Sequence, residues 1–186
     1  SDLALKLPAT VGTAGQVLKN SSTAGTLEFG DGGGITEFDM WRVTSNFTAQ
    51  DAVVTANWER ADTDFEKIGT GLTESSGIFT FPSTGKYLIN YNVYSEENGG
   101  TRYHGGQIDL STDSGSNYST RSEALINAYN TGANTHAANS QSVCFDITDA
   151  STYRMRFKVT GDSTISYGAN TNQQRFGFTC MKLGAT

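Results

Sequence analysis

The stretch from Gly77 to Val93, GIFTFPSTGKYLINYNV, constrains the fold more than any other part of the chain. Aromatic or apolar side chains occupy every second position of its second half, at Tyr87, Ile89, Tyr91 and Val93. A period of two sends successive side chains to opposite faces of a sheet. Residues 83–85 supply a turn, and Pro82 ends the run before it because proline has no N–H to donate. We therefore predict two strands joined by a turn, with these side chains, Phe79 and Phe81 in the core.

The rest of the chain has the composition of a β-sheet protein. Its 186 residues include 21 Gly, 8 Tyr and 10 Phe but only 2 Pro, and no long window shows the i, i+3, i+4 apolar pattern of a helix. Frequent turn signals between short apolar runs predict an all-β sandwich or barrel. The predicted further strands are 38–43, 50–58, 65–68, 103–110, 123–129, 143–147, 153–159 and 174–183. Residues 161–167 are predicted to form a short strand or a wide loop, and polar loops are predicted at 95–101 and 130–139.

Residues 1–36 differ from the remainder and predict a separate, extended N-terminal stem or tether. They are rich in Gly, Thr, Ala and Ser, with isolated apolar residues such as Val11, Val17 and Leu27. A segment of this kind buries little apolar surface alone and needs a partner to lie on. Gly32–Gly34 predict a flexible junction, and residues 37–186 then form a compact knob.

One motif resembles a known family. Gly77, Phe79, Pro82, Gly85 and Tyr87 stand in the spacing G-x-F-x-x-P-x-x-G-x-Y, which resembles a strand pair of the C1q/tumour-necrosis-factor-like (C1q/TNF-like) jelly roll. The Phe/Gly-rich stretch 175–178 is similar to the family's last strand, so the resemblance covers about residues 37–184. Segment 12–29 resembles linker sequences of bacteriophage fibre proteins. Segment 58–87 resembles sequences in C1q-like domains of marine phage structural proteins.

The resemblance implies a jelly roll of about ten short antiparallel strands that assembles as a homotrimer. In that family the inner sheet holds the first, third, sixth and last strands, and its outward face packs around the three-fold axis. Carried over to this chain, the interface candidates are Leu88, Asn90, Asn92 and Tyr94, with Cys144 on the same side. A register shift of one residue would exchange these residues with the core set.

Charge and hydropathy exclude two classes of partner. The net charge is −6 and the sequence has no basic cluster, so we expect no nucleic-acid binding. A run of about 18 apolar residues is also missing, so we expect no membrane insertion. The opening residues, SDLALKLPAT, lack the pattern of a secretory signal, so an intact secretory precursor is not expected.

No strong catalytic or metal-binding motif is present. His104 and His136 have no Cys or acidic residue at the spacing of a metal site. We therefore expect that the protein binds no cofactor and is not an enzyme. The pattern Asp109-x-Ser111-x-Asp113-x-Gly115 is compatible with a calcium-binding loop, but a simple turn is the favoured interpretation. Cys144 and Cys180 are predicted to be buried free thiols rather than a disulfide.

The function that these patterns favour is that of a virion structural protein at the particle surface: a trimeric fibre or spike knob contacting the host. Aromatic residues near polar loops are candidate contact tips for a surface receptor or glycan, at Tyr103, Tyr118, Tyr129 and His136. The N-terminal segment would bind other virion proteins. One alternative is a capsid-decorating or fibre-anchoring protein. The other is a polysaccharide depolymerase, which would use acids such as Glu96, Glu97 and Asp109.

Overall fold

A computed structural model describes residues 4–31, 33–97 and 99–186. The chain divides into two compact units, Ser1–Thr36 and Glu37–Thr186. In the first unit, β1 (Gln16–Asn20) pairs antiparallel with β2 (Leu27–Asp31). The prediction of an extended segment missed this hairpin. The predicted flexible junction at residues 32–34 includes Gly32, which lies outside the described residues.

In the described part of the second unit, all of the regular secondary structure consists of strands. They are β3 (Phe38–Val43), β4 (Phe47–Ala49), β5 (Ala52–Val53), β6 (Trp58–Arg60), β7 (Thr73–Ser75), β8 (Ile78–Thr80), β9 (Gly85–Glu97), β10 (Thr101–Ser111), β11 (Ser119–Ala128), β12 (Thr135–Ile147), β13 (Arg154–Gly161), β14 (Ile165–Tyr167) and β15 (Gly177–Gly184). The all-β prediction is confirmed.

The strands form two antiparallel sheets. One sheet runs β11-β10-β13-β8-β7, with β5 also pairing with β13. The other runs β4-β14-β9-β15-β3-β6, with β12 pairing with β9. The second sheet, called here the β9 sheet, thus contains β3, β9, β12 and β15. It includes the first and the last strand of the knob, as the sequence resemblance implied.

Strand β9 is the centre of the β9 sheet and confirms the predicted alternation. Tyr87, Ile89, Tyr91 and Val93 are at most 2% exposed, whereas the residues between them are half-buried or exposed on the opposite face. On one side β9 pairs with β12 without a register shift, from Gly85–Ile147 to Glu97–Thr135. On the other side it pairs with β15. The register of this strand is therefore the one that the hydrophobic pattern specifies.

Two glycines of the motif are required by the backbone. Gly77 has φ +78° and Gly85 has φ +147°, conformations that L side chains rarely adopt. A Cβ on Gly77 would also overlap the carbonyl oxygen of Val54. The two glycines of the motif therefore occupy the turns that lead into β8 and β9.

The core between the sheets is dominated by aromatic rings. Phe178 of β15 stacks on Phe157 of β13 with centroids 4.3 Å apart, and it meets Phe79 of β8 edge-on at 4.7 Å. Trp58 lies 5.7 Å from Phe178, also edge-on. These offset and edge-on arrangements are the favourable ones for aromatic pairs. The two sheets are thus joined by one aromatic cluster.

Several predicted boundaries are wrong. The predicted strand 65–68 is absent, since only Ile68 forms a bridge, to Phe38. The predicted strand 50–58 is broken into short pieces, because Asp51 and Asn57 adopt positive φ. The polar loop at 95–101 is shorter than expected, because β9 continues to Glu97; Asn98 lies outside the described residues. The tip at 130–139 likewise gives way to β12 from Thr135 onward.

Candidate assembly face and exposed rim

The outward face of the β9 sheet carries the four interface candidates on one strip. Leu88, Asn90, Asn92 and Tyr94 all lie on this face of β9 and are half-buried. Leu88 is flanked by Cys144 and Met181, which places an apolar row across three strands. The prediction that these residues share a surface agrees with their positions, and their role at an interface stays a prediction.

The middle of this strip is polar but uncharged. Asn90 accepts a hydrogen bond from Ser142 Oγ at 2.6 Å and donates to Thr179 Oγ1 at 3.3 Å. Asn92 lies between Ser140 and Gly177. The strip from Leu88 to Asn92, with its neighbours on β12 and β15, therefore offers uncharged surface on which the Asn90 side chain already has hydrogen-bond partners. Such surface can be covered without desolvating a charge.

An aromatic stack ends the strip. The rings of Tyr94 and His136 are nearly parallel, at 13°, and Tyr94 Oη lies 2.9 Å from His136 Nδ1. Arg175 lies over Tyr94, 5.4 Å from its centroid, and forms an ion pair with Glu96 at 3.7 Å. Sequence reasoning missed Arg175, because no local pattern relates it to a strand 80 residues earlier. His136, predicted as a tip, instead belongs to this strip.

The other predicted tips differ in exposure. Tyr129, which follows β11, is 77% exposed, and Tyr103 on β10 is 39% exposed. Tyr118 is half-buried beneath Arg156, whose guanidinium carbon lies 3.9 Å from the ring centroid. Tyr129 is therefore the most exposed of the three tyrosines.

His104 lies at the centre of a buried hydrogen-bond chain. Its Nε2 lies 2.7 Å from Ser95 Oγ, and its Nδ1 lies 2.9 Å from Thr101 Oγ1. Ser95 donates to the carbonyl of Ala137, and Thr101 accepts from the amide of Ala128. A neutral imidazole with its proton on Nε2 satisfies every member of this chain. The fully buried ring therefore joins β9, β10, β11 and β12 and has no access to a substrate.

This chain predicts a pH dependence of stability. Burial lowers the pKa of His104, although Glu97 and Asp162 oppose the effect. The unfolded state then binds its proton at a higher pH than the folded state does. The free energy of unfolding should therefore be highest above about pH 6.5 and decline as the pH falls from there toward the folded pKa.

Guanidinium unfolding at fixed protein concentration, at about pH 7.5 and about pH 5, tests this prediction. His104→Gln should flatten the decline, because it removes the titrating group. His136→Gln is the matched control, because His136 is exposed, and it should keep the wild-type decline. Equal declines in wild type and His104→Gln would contradict the prediction.

Of the three acids considered for glycoside hydrolysis, Glu96 and Glu97 line one pocket, and Asp109 is not among its lining residues. Asp109 is buried and accepts hydrogen bonds from Arg156 and Thr120. Glu97 is the last residue of β9, and β10 begins four residues later, at Thr101. From Thr101 to Asp109, β10 extends over about 25 Å. Paired catalytic carboxylates stand about 5–10 Å apart. Asp109 therefore does not form such a pair with Glu97.

The candidate calcium loop is a turn closed on itself. Asp113 accepts hydrogen bonds from Ser111 Oγ at 2.7 Å and from the backbone and side chain of Asn117. These bonds lower the pKa of Asp113 to about 2. Across residues 4–31, 33–97 and 99–186, no three His, Cys, Asp or Glu side chains are grouped so that they could hold a metal ion.

The two cysteines are free and face opposite ways. Cys180 is buried, and burial raises the pKa of its thiol well above the usual value. Cys144 is exposed on the outward face, so the prediction of a buried thiol is wrong for this residue. Their strands lie on either side of β9, where Cys144 is level with Leu88 and Cys180 with Ile89.

Comparisons with known proteins bear on the fold. No protein-family model and no curated protein matches the sequence. The structure of Eiger TNF from S. frugiperda matches with a TM-score of 0.63 at 11% identity, over 81% of this chain and 95% of that chain. Murine APRIL at pH 5.0 matches with a TM-score of 0.56 at 14% identity, over 79% of this chain and 99% of that chain.

Within the described part of the chain, no helix is long and apolar enough to cross a membrane.

At 11–14% identity the structural matches show the fold alone. The two packed sheets, their strand order and these matches agree. The chain has the fold of a C1q/TNF-like jelly-roll sandwich.

Proposed function

We propose that the chain is a non-enzymatic structural protein of a bacteriophage particle, acting as the homotrimeric knob of a fibre or spike that contacts the host surface. The fold supports a role in assembly and display rather than chemistry. The sequence resemblance to phage fibre segments supports the setting. Three copies of a weak contact site would act together and raise the avidity for a repetitive surface.

The observation that carries the proposal is the neutral outward strip of the β9 sheet. Its apolar row contains Leu88, Cys144 and Met181, and its centre is filled by short polar side chains. Depletion of charge with retained apolar area is typical of the core of an interface. A second and third copy would cover this strip around a three-fold axis.

The mass under native conditions tests this assembly. A trimer is expected at about three times the 19.9 kDa chain mass, at micromolar concentration. A clean monomer under those conditions would overturn the assembly. Binding of the purified trimer to host cells then tests the display role separately.

The reactivity of Cys144 is a second, independent test of the buried strip. The thiol is exposed in a single protomer, so assembly through this face should shield it from a maleimide reagent. We expect slow labelling of the assembled protein and rapid labelling of one thiol per chain once the assembly is dissociated. Cys180 serves as the internal control, since it should react only on unfolding. Equally rapid labelling of Cys144 in the assembled protein would place the interface elsewhere.

The N-terminal unit supports a second candidate, a capsid-decorating or fibre-anchoring protein. Leu5, Leu7 and Val11 are 49%, 65% and 93% exposed in this unit. These exposed apolar side chains are the residues through which the unit would bind another protein in this candidate. In this candidate the unit binds the shell or the fibre and the knob only decorates it. Locating the protein in a virion map distinguishes the two.

A further inference from the structure

A groove opens at one end of the knob, where β10 and β11 lose their regular register. The strands pair at Thr101–Ala128 and again at His104–Ile126. Two residues of β10, Arg102 and Tyr103, therefore face the single residue Asn127. A bulge of this kind redirects side chains at the rim of a sheet. The resulting groove encloses about 650 Å³, open solvent included, and its lining includes Gly100, Arg102, Asn127, Tyr129, Asn130 and Asp162.

Tyr129 supplies an uncovered aromatic ring to this groove. Its side chain is 77% exposed, the highest value among the exposed aromatic residues. Gly100 lines the same groove, and even an added Cβ there would meet no atom closer than 3.5 Å. The exposed ring and the uncrowded Gly100 therefore lie on one groove that a ligand can enter.

Arg102 supplies oriented donors. Its Nε donates to Asp162 Oδ2 at 3.0 Å, and its backbone amide donates to the same oxygen at 3.1 Å. The side chain is nonetheless 85% exposed, while that of Asp162 is only 14% exposed. Within the described residues, the two terminal nitrogens of Arg102 make no hydrogen bond. Asp162 thus holds the guanidinium in place, cancels its charge and leaves its outer edge free.

We propose that this groove binds an uncharged saccharide. The apolar face of a pyranose ring would lie on Tyr129, and its hydroxyl oxygens would accept hydrogen bonds from the free edge of Arg102. The side-chain amides of Asn127 and Asn130 both donate and accept, as sugar hydroxyls require. An acidic sugar is disfavoured, because Arg102 is already paired and the chain carries a net charge of −6.

This assignment rests on the proposed display function for its biological role, but the groove itself needs only one protomer. Its lining residues come from the ends of β10 and β11, the segments beside them and Asp162. The saccharide site and the trimer can therefore fail independently. A trimer that binds no sugar would overturn the site alone, and a monomer that binds sugar would overturn the assembly alone.

The test uses saturation-transfer difference NMR on the full chain with the methyl glycosides of glucose, galactose, mannose and N-acetylglucosamine. We expect a signal with at least one of them, with a dissociation constant of about 1 mM. Tyr129→Ala should weaken that binding by about 10-fold or more. Arg102→Gln should weaken it by several-fold while leaving the Tyr129 ring in place.

Tyr103→Ala is the matched control, because Tyr103 is an exposed neighbour of Arg102 that does not line the groove. This variant should bind as wild type does. Circular dichroism of each variant confirms that it is folded. The proposal is overturned by the absence of a signal with all four glycosides, by undiminished binding in Tyr129→Ala, or by stronger binding of methyl glucuronate than of methyl glucoside.

Discussion

Replacing Phe178 by alanine should lower the free energy of unfolding by about 4 kcal/mol, the largest loss that we expect from a single truncation. The ring is fully buried and contacts Phe157, Phe79 and Trp58 at centroid distances of 4.3, 4.7 and 5.7 Å. These partners come from the opposite sheet and from the edge of its own sheet. The cavity left behind would therefore weaken the contact between the two sheets.

Guanidinium unfolding at fixed protein concentration measures this loss, because any assembly couples stability to concentration. Leu183→Ala is the matched control on the same strand. Leu183 is 56% exposed, so its truncation should change the free energy of unfolding by no more than about 0.5 kcal/mol. A loss below about 1.5 kcal/mol for Phe178→Ala would show that the aromatic cluster is not the centre of the core.

Replacing Asn90 by glutamate should dissociate the assembly into monomers while leaving each protomer folded. Asn90 lies in the centre of the neutral strip and is half-buried in a single protomer, so a carboxylate there can reach water when the strip is open. In a trimer built on this strip the carboxylate would be buried in each of the three interfaces. An unpaired buried charge costs several kcal/mol for each ion, more than an interface of standard size tolerates.

The measurement is the native mass of Asn90→Glu beside that of Ser75→Glu. Ser75 is exposed on β7, at the edge of the other sheet, and its substitution adds the same charge. We expect a monomer for the first variant and an unchanged trimer for the second. The dissociated variant also supplies the monomer needed for the Cys144 labelling experiment. A trimer in both variants would exclude this strip as the interface.

Alternation along a strand was the part of the structure that the sequence predicted best. A strand with one buried face must place its apolar side chains at every second position. Tyr87 to Val93 on β9 and Met155 to Val159 on β13 follow that rule, and their side chains are buried in the core. The motif glycines were equally informative, because Gly77 occupies a conformation that other residues rarely adopt.

Features that depend on distant residues could not be predicted in the same way. The orientation of Arg102 is set by Asp162, 60 residues later, and by a register shift that no local pattern records. The segment 65–68 carries apolar residues only at its two ends, Phe65 and Ile68, and no neighbouring strand pairs with it beyond Ile68. The candidate tips looked equivalent in the sequence, whereas packing covers Tyr118 and leaves Tyr129 exposed.

The position of β15 has a consequence for how the protein is made. This strand comes last in chain order among those described, yet it lies between β3 and β9 in the middle of its sheet. On the ribosome, β3 and β9 must therefore wait with one edge unpaired until β15 has emerged. Folding of the knob is then largely post-translational and slow, because its central pairing joins the most distant parts of the chain. During that interval the open edges can pair with other nascent chains. Chaperone coexpression should therefore favour recovery of soluble protein.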